Sequence, residues 1–221
     1  VIMAGGRGTR LLPITQSVPK PMVRVAGRPI LERLVLHLVS HGFRRLYVSL
    51  NYLGDQISDH FGDGSRFGCK IEYLRESDPL GTGGALSLLP ERPRDPLLVL
   101  NGDLVTQADF GALMDFHRQG GLPATMAVRS YVCEMPFGCV EIASGRVKRF
   151  EEKPVMEKCV NAGIYALNPD LVARVPKTFF PITALFEECL KKGEAVGAFE
   201  VREAWVDVGL HEQLRQAQTG G

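Results

Sequence analysis

The sequence predicts an α/β fold built on a doubly wound, mostly parallel sheet. Three observations support this prediction. The chain of 221 residues is long enough to bury one sizeable α/β core, short apolar runs alternate with stretches of helical periodicity, and no stretch has the composition of a linker. Because alternating strands and helices favour right-handed βαβ crossovers, we expect a single domain over residues 1–221.

Periodicity predicts the elements of the first half. The chain opens on a short apolar strand, and apolar residues spaced three and four apart then predict a helix from Ile30 that ends before Gly42. A strand, a helix, a strand, a helix and a strand follow, near residues 46–50, 55–61, 71–74, 83–89 and 97–100. Asp103 comes just after the last of these strands, where open α/β sheets bind their ligands.

The pattern changes after Gly121, where the strands become shorter and polar turns separate them. We expect strands near residues 124–129, 140–142, 147–150 and 163–167, and another at Trp205. Helices are expected near residues 169–175, 183–192 and 211–218. The domain is therefore predicted to have a first half of about residues 1–120 and a second half of about residues 121–221 that is built on a mixed sheet.

Charge and composition exclude several classes of function. The formal net charge is +1, and basic residues are spread among acidic ones, so there is no electrostatic footprint for nucleic acid or an anionic membrane. No apolar run reaches the roughly 18 residues that cross a bilayer. The 5 cysteines lack a C-x-x-C pair, which favours reduced thiols in the cytoplasm over disulfides or a zinc site. Because the chain starts inside a strand without an initiator Met, we expect missing N-terminal residues or a missing N-terminal domain.

The loop after the first strand has the composition of a polyphosphate cradle. Its glycines and its basic neighbours are Gly5, Gly6, Gly8, Arg7, Arg10 and Lys20. Closely spaced glycines let backbone N–H groups approach a polyphosphate, and the basic residues supply positive charge. A dinucleotide fingerprint would need a third glycine where Leu11 stands, and no segment has the Walker A pattern. The loop therefore predicts a nucleoside triphosphate site.

Motifs along the whole chain resemble those of one known family. They are Gly-Gly-x-Gly-Thr-Arg-Leu-x-Pro-x-Thr at residues 5–15, Pro-Lys-Pro-Met at 19–22, Leu-Gly-Thr-Gly-Gly-Ala at 80–85, Asn-Gly-Asp at 101–103, Phe-Gly at 137–138, Glu-Lys-Pro at 152–154, Asn-Ala-Gly at 161–163 and Trp-Val-Asp at 205–207. In these motifs the chain resembles the sugar-1-phosphate nucleotidyltransferases. The resemblance implies a Rossmann-like sheet of the nucleotide-diphospho-sugar transferase type with a sugar-binding second half.

The resemblance also implies which residues bind each substrate. The implied nucleotide-binding residues are Ala4, Gly5, Gly6, Gly8, Thr9, Arg10, Lys20, Gly81 and Asp103. Of these, Arg10, Lys20 and Asp103 are implied to be catalytic, with Arg10 and Lys20 holding the triphosphate. The implied sugar-phosphate residues are Gly138, Glu152, Lys153 and Asn161. Lys153 would hold the sugar phosphate, and Gly81 would lie near the base.

In the implied reaction, the phosphate of a sugar 1-phosphate attacks the α-phosphorus of a nucleoside triphosphate and expels pyrophosphate. This nucleophile is already anionic, because a phosphate monoester has a second pKa near 6, so no Ser/His or Cys/His pair is needed. By resemblance, Asp103 and Asp207 bind Mg²⁺, an ion that is commonly held by one or two carboxylates plus substrate phosphates. His37 and His41 lie four apart at a helix end, lack the H-E-x-x-H pattern, and are interpreted as structural.

The sequence favours GTP as the nucleotide and a mannose-, heptose- or glucosamine-type 1-phosphate as the acceptor, for surface glycan synthesis. This preference rests on a likeness to bacterial guanylyltransferases that often follow a pair of CBS domains, and a homodimer is left open. The alternatives are a thymidylyl- or uridylyltransferase of the same family and a non-catalytic regulatory homologue that binds nucleotides. The chain departs from common family forms at Pro181 and Cys139, which leaves the sugar undetermined.

Overall fold

A seven-stranded mixed sheet forms the centre of the protein. The computed structural model describes residues 1–219. Its α-helices are α1 (Ile30–Ser40), α2 (Gly54–Phe61), α3 (Gly81–Gly84), α4 (Phe110–Gln119), α5 (Pro169–Val172), α6 (Ile182–Lys191) and α7 (His211–Thr219). Its strands are β1 (Ile2–Met3), β2 (Arg24–Val25), β3 (Arg28–Pro29), β4 (Arg45–Leu50), β5 (Lys70–Arg75), β6 (Leu97–Asn101), β7 (Leu104–Thr106), β8 (Ala124–Glu134), β9 (Cys139–Ala143), β10 (Arg146–Glu151), β11 (Val155–Leu167), β12 (Val196–Glu200) and β13 (Trp205–Asp207).

The strands of the sheet lie in the order β12-β8-β11-β6-β1-β4-β5. β1 pairs in parallel with β4 and with β6, and β4 pairs in parallel with β5. β11 runs antiparallel to β6 and thereby joins the second half of the chain to the same sheet. The chain leaves β1 toward β4 on one side and returns to β6 on the other, so a crevice opens between the carboxyl ends of β1 and β6.

Apolar side chains cover both faces of this sheet. On one face, α1 buries Leu31, Leu34 and Leu38 in a cluster with Ile2 and Val48 of the sheet. On the other face, α6 contributes to a second cluster that contains the alternate residues of the same strands. Each fully buried leucine stabilises the fold by about 1.5–3 kcal/mol relative to an exposed one. No helix in the described part of the chain is long and apolar enough to cross a membrane.

The predicted α/β class and the mostly parallel sheet are confirmed. The helix expected over residues 83–89 is instead the short α3, which continues as a 3₁₀ turn over Ala85–Leu88. β8 and β11 run well beyond their expected bounds and form a ribbon whose far end is exposed. The sequence does not reveal this ribbon, because residues exposed on both faces lack the alternation that marks a half-buried strand.

The sequence prediction lacks α4 and β12, as well as the short strands β2, β3 and β7. The signal for α4 is present, since Phe110, Leu113, Met114 and His117 are buried at helical spacing. Asp109 also caps this helix by accepting a hydrogen bond from the Ala112 N–H over 2.9 Å. β12 is a short edge strand with a glycine inside it, so its signal is weak.

Candidate functional site

A cavity of about 320 Å³ opens at the carboxyl ends of β1 and β6. It occupies the crevice where the strand order of the sheet reverses. The predicted site residues that line it are Ala4, Gly5, Gly6, Arg10, Lys20, Gly81, Asp103 and Asp207. Residues from the two ends of the chain therefore meet in one cavity.

Close packing against Lys20 shapes the glycine-rich loop. Gly8 adopts a left-handed conformation with a φ of 62° and precedes a 3₁₀ turn that begins at Thr9. A Cβ atom at Gly8 would lie 2.9 Å from the Cβ of Lys20, so a larger residue would displace the lysine. Thr15 Oγ1 donates a hydrogen bond to the Gly8 carbonyl over 2.9 Å. Gly8 and Thr9 thus support the loop from outside the cavity.

Lys20, Asp103 and Asp207 form a charged cluster at the base of the cavity. Lys20 Nζ donates a hydrogen bond to Asp103 Oδ2 and lies 3.8 Å from Asp207 Oδ1. Only 8% of the Lys20 side chain is exposed, so solvent screens these ion pairs weakly. β13 pairs with β7 so that Asp207 lies opposite Leu104, the residue next to Asp103. The small β7–β13 sheet therefore brings the two aspartates together.

The surroundings of Asp207 in this cluster disfavour the ionised form of its carboxylate. Burial raises its pKa above the ordinary value, and the negative charge of Asp103 raises the pKa further. Lys20 and Arg10 act in the opposite direction. Additional positive charge at this position would stabilise both carboxylates.

Two oxygens of the cluster have the properties of metal ligands. Among the described residues, Asp103 Oδ1 and Asp207 Oδ1 are buried without a hydrogen-bond partner, although buried polar atoms are normally paired. The part of the chain that the structure describes has no group of three or more His, Cys, Asp and Glu side chains that could hold a metal ion. Mg²⁺ does not require such a group, because substrate phosphates complete its coordination. The two aspartates therefore fit the predicted ion.

The histidines of α1 agree with the structural interpretation. His37 Nε2 donates a hydrogen bond to the Ala108 carbonyl over 2.9 Å, and burial lowers the pKa of this imidazole. The His41 ring packs edge-on against His37 with ring centroids 4.5 Å apart. His37 thus uses a ring nitrogen within the fold.

The segment after Asp207 folds over the glycine-rich loop. A Cβ atom at Gly209 would lie 3.3 Å from Arg10 Nη1, so the guanidinium packs directly on this glycine. Gln213 Oε1 accepts hydrogen bonds from the backbone N–H groups of Gly209 and Leu210 over 2.8 and 2.9 Å. The start of α7 therefore positions Arg10 at the cavity.

Three of the predicted sugar-phosphate residues lie on or beside the β9–β10 hairpin, outside this cavity. A Cβ atom at Gly138 would lie 2.7 Å from Phe150 Cζ and 3.0 Å from Glu152 Oε2, so the hairpin closes tightly at this glycine. Lys153 follows β10 with a φ of 45°, a left-handed conformation that non-glycine residues rarely adopt. Glu152 and Lys153 are both exposed.

Asn161, the fourth of these residues, uses its side-chain amide within the fold. Its Nδ2 donates to the Tyr165 hydroxyl over 2.8 Å, and its Oδ1 accepts from the Gly163 N–H over 2.9 Å. Asn161 does not line the cavity. The structure therefore brings the predicted nucleotide residues together in the cavity, except for Gly8 and Thr9, and leaves the predicted sugar-phosphate residues outside it.

Glu76 and Phe179 are among the cavity-lining residues that were not predicted as site residues. Neither belongs to a motif that the sequence analysis recognised. For Glu76 the available signal was position, because it directly follows β5 at the same edge of the sheet as Asp103. Phe179 precedes α6 and comes to the cavity only through the fold of the second half, so no local signal marks it.

A larger cavity of about 590 Å³ lies at the opposite edge of the sheet, near the amino ends of β1, β4 and β6. Its lining includes Val1, Arg45 and Leu98 and none of the predicted site residues. The glycine-rich loop and the facing carboxylates therefore identify the smaller cavity as the candidate site.

Comparison with known proteins agrees with this geometry. A family model described as nucleotidyl transferase matches residues 1–220. The chain is 37% identical to a mannose-1-phosphate guanylyltransferase of Mycobacterium tuberculosis, over 97% of this chain and 62% of the relative. It is 31% identical to a UTP–glucose-1-phosphate uridylyltransferase of Synechocystis, over 100% of this chain and 62% of the relative. The chain thus spans about three fifths of the length of these curated relatives.

Solved structures share the fold over nearly the whole chain. Two crystal structures of HddC from Yersinia pseudotuberculosis, one of them complexed with GMP-PN, match with TM-scores of 0.78 and 0.74 at 26% identity. Both matches cover 99% of this chain and 97% of HddC. The chain therefore belongs to the nucleotidyl transferase family, and the resemblance of its motifs to the sugar-1-phosphate nucleotidyltransferases is confirmed.

Proposed function

We propose that the protein transfers a nucleotidyl group from a nucleoside triphosphate to a sugar 1-phosphate, which yields an NDP-sugar for surface glycan synthesis. One observation carries this proposal. Lys20 lies between Asp103 and Asp207, and each aspartate keeps a buried carboxylate oxygen without a hydrogen-bond partner among the described residues, beside a glycine-rich loop. This arrangement suits a polyphosphate accompanied by a divalent cation.

The reaction demands little covalent chemistry from the protein. The sugar phosphate oxygen forms a bond to the α-phosphorus, and the bond between that phosphorus and pyrophosphate breaks. Because the nucleophile is anionic near neutral pH, no side chain has to remove a proton. Catalysis then depends on alignment of the two phosphates and on neutralising the charge that develops on pyrophosphate.

The loop residues and two basic side chains would supply these effects. Gly5 and Gly6 let the backbone approach the triphosphate. Arg10 and Lys20 line the same cavity and would bind phosphate oxygens through charge-assisted hydrogen bonds. The packing of Arg10 on Gly209 holds its guanidinium in place before the substrate arrives.

The cofactor in this proposal is Mg²⁺. Asp103 and Asp207 would hold it through their Oδ1 atoms, which accept no hydrogen bond from the described residues. When bound, the ion neutralises phosphate charge. Lys20 would keep both carboxylates ionised and correctly oriented for that purpose.

The second half of the chain would bind the sugar 1-phosphate. Lys153 would hold the phosphate, and Gly138 would pack against the sugar ring. Glu152 would accept hydrogen bonds from sugar hydroxyls, and Asn161 would form hydrogen bonds with other hydroxyls of the sugar. The left-handed backbone at Lys153 supports this assignment, because strained conformations cluster at functional sites. The exposure of the β9–β10 hairpin leaves it free to approach the cavity when the sugar phosphate binds.

GTP is the proposed nucleotide, with a mannose-, heptose- or glucosamine-type 1-phosphate as the acceptor. A curated relative at 37% identity is a mannose-1-phosphate guanylyltransferase, and HddC is solved with GMP-PN. The relative named as a uridylyltransferase keeps UTP as the main alternative. A homodimer, an N-terminal CBS-type domain and a cytoplasmic location stay predictions from the sequence.

A non-catalytic, nucleotide-binding regulatory protein is the alternative of a different class. The presence of Arg10, Lys20, Asp103, Lys153 and Asp207 in one chain disfavours it, because a binding module has no use for residues that stabilise a departing pyrophosphate. Pyrophosphate release should distinguish the two functions. The assay would combine GTP, UTP, dTTP and CTP with mannose, glucose and glucosamine 1-phosphates in the presence of Mg²⁺.

The expected result is release that requires both substrates and is fastest with GTP. Asp207→Asn serves as the inactive control. Nucleotide binding without pyrophosphate release for any of these pairs, or for the same nucleotides with heptose 1-phosphate, would favour the regulatory function instead.

A further inference from the structure

One face of the β9–β10 hairpin is apolar and uncovered. The register of the hairpin places Val140 opposite Phe150 and Ile142 opposite Val147. Directly opposite residues share a face, and Val140 and Ile142 are two positions apart on β9, so all four side chains lie on the same face. Each of them is between 46% and 70% exposed. An exposed apolar patch of this kind commonly marks an interaction surface.

The outer edge of β10 is also free. β9 pairs with one edge of β10, and no other strand in the described part of the chain pairs with it. Every residue of β10 is exposed. An unpaired edge presents a row of backbone N–H and C=O groups on which another strand can form a ladder of hydrogen bonds. The edge of β10 can therefore accept one further strand.

The charges around Phe150 make this edge complementary to itself. Lys148 and Arg149 precede Phe150 in the sequence, and Glu151 and Glu152 follow it. A two-fold axis at Phe150 would set two copies of β10 antiparallel, with Phe150 opposite Phe150 of the second copy. Arg149 of each copy would then lie opposite Glu151 of the other. Aromatic pairs and pairs of opposite charge in such positions both stabilise neighbouring strands.

Neighbouring antiparallel registers place like charges together. If the axis moves by one residue to Arg149, this side chain lies opposite its own copy. If the axis moves to Glu151, the two carboxylates lie opposite each other in the same way. Like charges in directly opposite positions destabilise a strand pair. The charge pattern therefore favours the single register in which Phe150 lies on the axis.

The stretch that can pair is short. A bulge between Val147 and Arg149 disturbs the start of β10, and the left-handed backbone of Lys153 lies just beyond its end. Two segments of this length bury less than the roughly 1,200–2,000 Å² of a stable interface. The resulting dimer should therefore dissociate on dilution.

We propose that two copies of this chain associate through the outer edges of their β10 strands, with Phe150 on the two-fold axis and Arg149 of each copy facing Glu151 of the other. The two hairpins then form one continuous sheet whose apolar faces adjoin. This inference does not depend on the proposed function, because none of these three residues lines the candidate site.

Sedimentation velocity across a dilution series measures this association. We expect a reversible dimer whose dissociation constant rises with salt, because exposed ion pairs are screened. Arg149→Glu and Glu151→Arg should each raise the dissociation constant by about tenfold or more, because each places like charges opposite each other twice in the dimer. Lys158→Glu and Glu187→Arg are the matched controls. They make the same changes of charge at exposed positions outside the hairpin and should leave the dissociation constant unchanged.

Mixing the two hairpin variants tests the two-fold arrangement. In a mixed dimer of Arg149→Glu with Glu151→Arg, opposite charges face each other again at both positions. The mixture should therefore form dimers at concentrations at which each variant alone is monomeric. A double variant that carries both changes should dimerise as the wild type does, because it exchanges the two charges without altering their complementarity.

A cysteine on the axis tests the register. Directly opposite residues in an antiparallel pair have Cα atoms about 4.5–5.5 Å apart, a separation that a disulfide spans. Phe150→Cys should therefore form a disulfide-linked dimer on oxidation in a protein whose exposed and half-buried cysteines, Cys133, Cys139 and Cys159, are changed to Ser. Ile142→Cys in the same background places an exposed cysteine on β9, away from the axis, and should not form this dimer.

Three results would overturn the proposal. The first is a wild-type protein that stays monomeric at every concentration. The second is a dimer that both charge reversals leave unchanged, and the third is a mixture of the two variants that dimerises no better than either alone. Thermal unfolding checks that each variant is folded. If a charge reversal prevents folding, the disulfide experiment decides, and absence of the linked dimer of Phe150→Cys then overturns the proposal.

Discussion

At the scale of single residues, Asp207 links stability to function. Its pKa is raised first by burial and then by the Asp103 charge, so folding disfavours its ionised form. A group of this kind contributes stability below its ordinary pKa of 3.8, and the contribution is lost as pH rises through the folded-state value. Asp207→Asn should therefore raise the thermal unfolding midpoint at neutral pH, and the difference should shrink as pH falls toward 3.8. A lower midpoint at neutral pH would contradict the electrostatic cost assigned to this carboxylate.

The same substitution should remove activity. Asp103→Asn and Asp207→Asn should each lower turnover by more than about a hundredfold, because each removes one charge from the proposed ion site. Pyrophosphate release at limiting Mg²⁺ measures this loss, with Asp78→Asn as the control for an exposed carboxylate outside the cavity. Near-normal turnover of either variant would remove that aspartate from the ion site.

Lys153 and Lys20 should each contribute to the binding of a different substrate. Lys153→Ala should raise the KM for the sugar 1-phosphate more than that for the nucleotide, since a lost charge-assisted contact to a phosphate is worth roughly 1.5–3 kcal/mol. Lys20→Ala should show the opposite bias. Lys148→Ala, an exposed lysine on the same hairpin as Lys153, is the matched control. Equal effects of Lys20→Ala and Lys153→Ala on both substrates would refute this division.

The site residues that could be predicted from the sequence are those that belong to distinctive motifs. Lys20, Asp103 and Asp207 could be predicted because the motifs around them are distinctive, and the structure places them in one cavity. Phe179 could not, because its place at the cavity depends on hydrogen bonds between segments about 100 positions apart, such as that from Ile182 to Thr82. Only the folded chain contains that information.

At the scale of elements, the β9–β10 hairpin is the part of the proposed site that lies outside the cavity. Gly138→Ala would force a Cβ atom against Phe150 and Glu152 at distances of 2.7 and 3.0 Å. The hairpin would open locally, so the KM for the sugar 1-phosphate should rise while that for the nucleotide stays constant. The control is Gly145→Asn in the tip of the same hairpin, where a Cβ atom meets nothing within 4 Å and Asn tolerates the left-handed backbone.

Steady-state kinetics with each substrate varied in turn would check this prediction. An increase in the nucleotide KM, or an equal effect of Gly145→Asn, would show that the hairpin does not act on the sugar phosphate specifically.

The helices and strands that could be predicted well from the sequence are those that are buried. α1 and β4 were predicted within one or two residues. α1 buries one face and therefore shows a helical period, whereas β4 is buried on both faces and shows a short, nearly continuous apolar run. The exposed ribbon of β8 and β11 has no such period, and its length could not be inferred. α4 had a readable pattern that sequence analysis overlooked.

At the scale of the whole molecule, the sheet explains why the site forms where it does. β1 is flanked by β4 and β6, so the glycine-rich loop leaves the sheet at the point where the strand order reverses. Asp103 follows β6 at that point, and the β7–β13 pair brings Asp207 from near the end of the chain. Alternation of strands and helices predicted the parallel part of the sheet. The antiparallel insertion of β11 beside β6 could not be predicted, because strand pairing depends on long-range packing rather than on local periodicity.

The central claim is that this cavity performs nucleotidyl transfer. Phosphorus NMR of the protein with GTP, mannose 1-phosphate and Mg²⁺ tests it most directly, because the spectrum identifies every phosphorus-containing product. We expect the signals of pyrophosphate and of a sugar-linked diphosphate, with mannose 1-phosphate consumed in equal amount and no product signals with Asp207→Asn. Two results would contradict this claim. One is the formation of GDP and inorganic phosphate. The other is a spectrum that stays unchanged, also when glucose, glucosamine or heptose 1-phosphate replaces mannose 1-phosphate and when UTP or dTTP replaces GTP.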